Sequence, residues 1–344
     1  MVNFIYYNLV DKGECRMDAI PYSRMIFGVI PWYSFLIVCG VSLAVFLSVR
    51  EEKRCGLPED TIIDLSLWLL PAGIIGARIY YVVFSWNLFR SNPVSVLYIW
   101  EGGIAIYGAV IAGFLVILIF CKKRHLSILK VCDTVVPGLA LAQAVGRWGN
   151  YFNMEAYGER ISNPAFQFFP LAVLINENGH SVWHMATFFY ESVWNFLIFL
   201  LLLFLRKKRS GKPGDLFKTY LFLYSAGRIV IEDFRLDSLY ASGTIRVSQL
   251  LSLFICSALL LLILIRALKS EKKLSFIYIL LYSLQTIFSF AVLLYCLRFP
   301  ALCWSSVRWR FAFLGLFSSI SILVYMLIFI DVQKAEVPCA DNKR

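Results

Sequence analysis

The sequence is poor in the patterns that build metal centres, disulfide frameworks and soluble domains. Three histidines and nine cysteines are scattered through 344 residues, with no CxxC pair and no His/Cys spacing that suits a metal. No metal and no cofactor is therefore expected, and the cysteines read as small apolar residues or free thiols. Charged residues make up only 16% of the chain, against roughly 25% in an average soluble protein. There is no internal repeat, no low-complexity stretch and no segment that reads as a soluble domain.

What fills the chain instead is apolar. Hydrophobic residues reach 60%, where a soluble protein of this size sits nearer half. Runs of roughly 20 apolar residues can cross about 30 Å of hydrocarbon. They recur at Val29–Val49, Ile62–Trp86, Gly103–Phe120, Ile128–Val145, Ala186–Leu205, Leu216–Phe234, Val247–Ile265, Leu274–Leu297 and Phe311–Ile330. In lipid a helix satisfies its own backbone polar groups, so these runs predict nine transmembrane helices. No small-residue cleavage site follows the first run, which is expected to remain in the protein.

A net charge of +11 invites a nucleic-acid reading, but the positions of the charges exclude it. The segments 50–61, 121–130, 206–218 and 266–273 hold 17 Lys and Arg, whereas the alternate segments 87–102, 146–185 and 236–246 hold 4. Basic loops stay cytoplasmic. The N-terminus is therefore expected outside, and the basic excess is a topology signal. Residues 1–28 read as an extracytoplasmic segment, 29–267 as a seven-helix core, and 268–344 as a two-helix extension with a polar tail.

Ionisable residues inside apolar runs are costly, so each is a functional candidate. They are Asp64, Arg78, Asp133, Glu191, Arg228, Glu232, Asp233 and Arg235, with Arg147 and Glu155 just past the fourth run. Taken singly, each could be a helix-end side chain reaching the interface or half of a structural pair. Taken together, all except Asp64 and Asp133 fall on the outer side of the topology set by the loop charges. Spacings of four and seven put Arg228, Glu232 and Arg235 on one helical face. Tyr33, Gly102-Gly103 and Tyr107-Gly108 begin runs at the same leaflet. Guanidinium groups bind phosphate through two parallel hydrogen bonds and stay charged at any relevant pH. A phospholipid phosphate is the obvious ligand for such a cluster.

At these residues a family resemblance becomes specific. Gly146–Gly158 resembles the signature of prolipoprotein diacylglyceryl transferases, G-R-x-G-N-[FY]-x-N-x-E-x-x-G. Gly146, Arg147, Gly149, Asn150, Tyr151, Asn153, Glu155 and Gly158 all fit it. Arg228, Glu232 and Arg235 match the family's second motif, and Gly76–Tyr81 is similar to its G-x-R-x-x-Y segment around Arg78. Thr187–Ser192 and Arg246–Gln249 resemble further family segments, so the likeness spans residues 29–267. The resemblance implies an all-α polytopic membrane protein, with a seven-helix transferase-like core and about two extra C-terminal helices. It implies an enzyme of the bacterial cytoplasmic membrane whose site faces the outer leaflet. Its partners are phosphatidylglycerol, pre-lipoprotein signal peptides with a lipobox cysteine, and the bilayer. Diacylglycerol is transferred from the lipid to that cysteine thiol.

The roles follow from the same resemblance. Arg147 and Arg228 are expected to hold the phosphate, with Glu155 as base or orienter and Tyr107 at the reacting centre. Asn150, Asn153 and Glu232 would bind headgroup hydroxyls or fix the arginines. Arg235 would assist, Tyr33 and Arg78 would contact substrate, and Gly149 and Gly158 would permit close approach. The chain departs from the family pattern on the third run, where Tyr107 stands at the position of a common histidine and Ala109 at a glycine. A tyrosine hydroxyl, with an ordinary pKa of about 10, is a poor base at neutral pH but a competent hydrogen-bond donor. Two alternatives stay open at this stage: a relative that binds lipid without this catalysis, and a small-solute transporter lined by the same polar residues.

Overall fold

Among the described residues, each of the first seven apolar runs holds a helix. The computed structural model describes residues 24–177, 180–207, 212–236, 240–242 and 245–268 together with Tyr325. The helices are α1 (Trp32–Glu52), α2 (Thr61–Phe84), a short α3 (Trp86–Phe89), α4 (Ile106–Lys123), α5 (Ile128–Asn153), α6 (Thr187–Lys207), α7 (Asp215–Ile231) and α8 (Val247–Leu268). Among the described residues, α1, α2, α4, α5 and α6 are long and apolar enough to cross a membrane. Helix α8 adds a shorter apolar stretch, Val247–Ile263. Helix α7 has 17 residues and tightens into a 3-10 turn at Glu232–Phe234. Large apolar side chains such as Phe35, Val38, Trp68 and Phe114 point outward. A continuous apolar exterior of this kind suits lipid, not water. The protein is an all-α polytopic membrane protein. The segments 1–23, Leu274–Leu297 and Phe311–Ile330 lie outside the described residues, Tyr325 excepted.

Helix α5 is the axis of the bundle, packed against α1, α6 and α7, while α2 pairs with α4 and α7 with α8. Lipid tails are as apolar as leucine, so helices associate in a bilayer through close packing of small residues. The α2–α4 crossing shows this directly. A Cβ added at Gly108 would lie 2.2 Å from the Gly76 carbonyl oxygen, so the backbones meet with no room for a side chain. Ala140, Leu202, Phe222 and Ala226 form the fully buried centre between α5, α6 and α7.

The basic-loop end is fastened by carboxylates. Asp133 caps α7, accepting hydrogen bonds from the Gly214 and Phe217 amides at 2.5 and 2.8 Å. Glu52 accepts from the Asp60 and Ile62 amides at 3.1 and 3.0 Å and so caps α2. Asp64 pairs with Arg124 at 2.5 Å. The two intramembrane acids expected on the inner side thus fix helix ends.

The long connection between α5 and α6 contains an antiparallel hairpin, β1 (Ala172–Glu177) and β2 (His180–Met185). Its register pairs Glu177 with His180. The sequence reading placed only a loop here.

Candidate active site

The polar ends of α5, α6 and α7 converge on one buried carboxylate. Helix α6 is pinned to its neighbours at its first turns. Thr187 Oγ1 donates to the Ala156 carbonyl at 2.6 Å, and Ser192 Oγ donates to that of Ala144 at 2.8 Å. This fixes Glu191, buried on α6, between three guanidinium groups. Arg147 Nε from α5 lies 2.6 Å from Glu191 Oε2, Arg228 from α7 pairs with Oε1, and Arg235 Nη1 lies 3.9 Å from Oε1. Arg228 also reaches Glu232 Oε2 at 2.6 Å, one helical turn on. All five side chains are largely withdrawn from solvent. Three guanidinium groups thus face the carboxylates of Glu191 and Glu232, and guanidinium N–H groups suit a phosphate. Beside the network, Glu191, Trp194, Asn195, Tyr224, Arg228 and Ile231 line a small cleft between α6 and α7, about 10 Å³ in volume, which is the room one water or one hydroxyl takes.

A second knot forms where α5 ends. Met154 adopts a left-handed conformation with φ 52° and terminates the helix; Ala156 follows at φ 55°. Side chains other than glycine rarely adopt this conformation, which is common just past a helix end. Between them, Glu155 Oε1 accepts from Asn150 Nδ2 at 2.7 Å and Asn153 Nδ2 at 3.4 Å. Asn150, Asn153 and Glu155 are therefore one unit. Tyr33, at the start of α1, lies within electrostatic reach of Glu155 and Arg147.

The two predicted site glycines have packing partners. A Cβ at Gly149 would sit 2.6 Å from the Tyr33 ring, so this glycine makes room for Tyr33. A Cβ at Gly158 would strike Thr187, Met185 and the Phe234 carbonyl at 2.8 to 2.9 Å. Gly158 also bridges to Arg235 as an isolated β-pair and accepts from His184 Nδ1 at 2.7 Å.

Arg78 stands apart from the network. Its guanidinium donates to five backbone carbonyls, those of Ser95, Val96, Tyr98, Gly102 and Gly103, at 2.6 to 3.2 Å. It shapes the loop that leads into α4. Tyr107, in the first turn of α4, lies within electrostatic reach of Arg228, Glu232 and Tyr224, with its ring 6.3 Å from that of Tyr80.

The structure brings together Arg147, Arg228, Glu232 and Arg235, and gives them a centre that the predicted site omitted. Glu191 was flagged by its cost in lipid and by its place in a matching segment. What joins it to arginines from two other helices is tertiary packing.

Comparison with known proteins identifies the family. The family model described as prolipoprotein diacylglyceryl transferase matches residues 24–265. The phosphatidylglycerol–prolipoprotein diacylglyceryl transferase of Enterococcus faecalis is 45% identical over 245 residues, covering 70% of this chain and 88% of that protein. The protein of the same name from Limosilactobacillus reuteri is 47% identical over 266 residues, covering 75% and 95%. That of Shouchella clausii is 42% identical over 229 residues, covering 66% and 82%. The matched region spans α1 to α8, the helices that carry the arginine network, and the chain belongs to the prolipoprotein diacylglyceryl transferase family.

Proposed function

We propose that this chain transfers the diacylglyceryl group of phosphatidylglycerol to the lipobox cysteine thiol of prolipoproteins, the first step of lipoprotein maturation. The observation that carries this reading is the buried, Glu191-centred arginine network beside a cleft between α6 and α7. The cysteine sulfur, as thiolate, attacks the glycerol carbon that bears the phosphate. A C–S bond forms, the C–O bond breaks, and its electron pair leaves on the phosphate oxygen as glycerol phosphate. Arg147 and Arg228 stabilise that growing charge where water cannot screen it. Glu191 and Glu232 are engaged by guanidinium groups, whereas Glu155 is held by neutral amides, which suits it to take the thiol proton. Arg78 serves by positioning the loop before α4, and Gly149 and Gly158 by close packing. The substrate cysteine supplies the nucleophile, so none of the chain's own cysteines is needed for it.

In this reading residues 29–267 are the catalytic core, flanked by 1–28 and by a C-terminal extension at 268–344. The core sits in the cytoplasmic membrane with the site toward the outer leaflet. The decisive assay combines purified protein, phosphatidylglycerol vesicles and a lipobox peptide, with mass spectrometry of the peptide. Addition of one diacylglyceryl mass supports the reading, and an unmodified peptide sinks it.

The loop charges support the orientation. With native cysteines removed, a cysteine placed in 206–213 is expected to resist impermeant thiol reagents added outside, and one in 162–180 to react. The reverse labelling would move the site to the inner leaflet.

The tyrosine on α4 favours one competing reading, a relative that binds lipid but has lost its base. If Tyr107 donates a hydrogen bond to the phosphate, Tyr107→Phe should slow transfer roughly 10- to 100-fold, the scale of one hydrogen bond to a charged group. Tyr107→His should retain transfer. An inactive wild type that gains activity through Tyr107→His would support the competing reading.

A further inference from the structure

Asn195 has a buried carboxamide oxygen that meets no donor among the described residues. It lies one turn beyond Glu191 on α6, on the same face, and is 2% exposed. It lines the cleft with Arg228, Tyr224 and Trp194. Its Oδ1 receives no hydrogen bond among the described residues. The α6–α7 contact beside it is held by Trp194, whose Nε1 donates to the Leu223 carbonyl at 3.0 Å and whose ring packs on Gly227. Burying an acceptor without a donor is costly. A donor from a ligand in the cleft removes that cost.

The chemistry of the donor can be read from its neighbours. Phosphate oxygens carry no hydrogen in the bound monoanion and are matched by the arginines, so an acceptor beside Arg228 addresses a different part of the ligand. On the transferase reading the donor lipid is phosphatidylglycerol, and the hydrogen-bond donors of its headgroup are its hydroxyls. We propose that Asn195 is a specificity-determining residue that accepts a hydrogen bond from a free hydroxyl of the donor lipid's headgroup. This rests on the transferase reading given above.

The test compares vesicles of phosphatidylglycerol with vesicles of phosphatidylpropanol, which has the same charge and headgroup carbon count but no hydroxyls. Transfer to a lipobox peptide is followed for the wild type and Asn195→Leu. The wild type is expected to favour phosphatidylglycerol about tenfold in kcat/KM, mostly through KM, the scale of one hydrogen bond to a buried group. In Asn195→Leu that preference should fall toward one, with the KM for peptide unchanged. Asn195→Ser, which keeps a small hydroxyl acceptor, should retain part of the preference, and it decides the matter if the leucine variant does not fold. Equal slowing on both lipids would make Asn195 structural, and a raised KM for peptide would assign it to the polypeptide; either overturns the proposal. So would a wild type without preference, although transfer itself would then stand. A wild type that modifies no peptide with either lipid would instead remove the transferase reading beneath it.

Discussion

Replacing Arg228 with lysine is expected to reduce diacylglyceryl transfer roughly 100- to 1000-fold, the scale seen when one fixed donor to a developing oxyanion is lost, while the protein still inserts. The guanidinium does two things at once. It pairs with Glu191 on α6 and, through its other terminal nitrogen, with Glu232 at 2.6 Å. It also lines the cleft. A planar fork can hold two carboxylates in place and still present an N–H edge to phosphate. An ammonium is a single point charge on a flexible stem, and reaching one partner takes it away from the others. Because lysine keeps the charge, the loss would report geometry and not electrostatics in general. The measurement is the initial rate with phosphatidylglycerol vesicles and a lipobox peptide, alongside the yield of membrane-inserted protein. Turnover near that of the wild type would remove Arg228 from the phosphate site.

The helices were legible because lipid imposes length and apolarity on each crossing segment independently. The run at Ile62–Trp86 and helix α2 at Thr61–Phe84 differ by at most two residues at either end. The run ending at Val145 fell short, since α5 continues to Asn153 through Arg147 and Asn150. Those residues are polar because they build the site, so a hydropathy reading stops where the function starts. The hairpin at Ala172–Met185 was missed although Asn178-Gly179 lies between two short segments that carry β-branched residues, a recognisable two-residue hairpin signal. Arg78 shows a different limit. Its intramembrane position identified it as unusual, but its partners are carbonyls of a loop 17 to 25 residues away. No residue type announces a backbone carbonyl. Glu191 shows the same limit at the site itself: cost in lipid marks a charge as purposeful, and only the packing of α5, α6 and α7 says what it is paired with.

Glu191→Gln should be the most disruptive single change at the site, because it removes the common partner of three guanidinium groups. Breaking one side of a buried ion pair costs roughly 3–5 kcal/mol, and here Arg147 and Arg235 each lose their contact with the buried Glu191 carboxylate. A lower unfolding temperature and a loss of transfer beyond roughly 100-fold are expected together. The informative measurement is how lipid changes that temperature. The variant has one negative charge fewer beside the arginines than the wild type. A phosphodiester brings one negative charge to either protein, and arginines that have lost a carboxylate gain more from it. Binding to the native state raises the unfolding temperature in proportion to the logarithm of ligand over Kd. Phosphatidylglycerol, compared with zwitterionic phosphatidylcholine, should therefore stabilise Glu191→Gln by more than it stabilises the wild type. An unfolding temperature equal to that of the wild type would mean that Glu191 does not hold the arginines together. A destabilised variant that gains nothing extra from the anionic lipid would mean that the phosphate binds elsewhere, and the arginine network would then be structural.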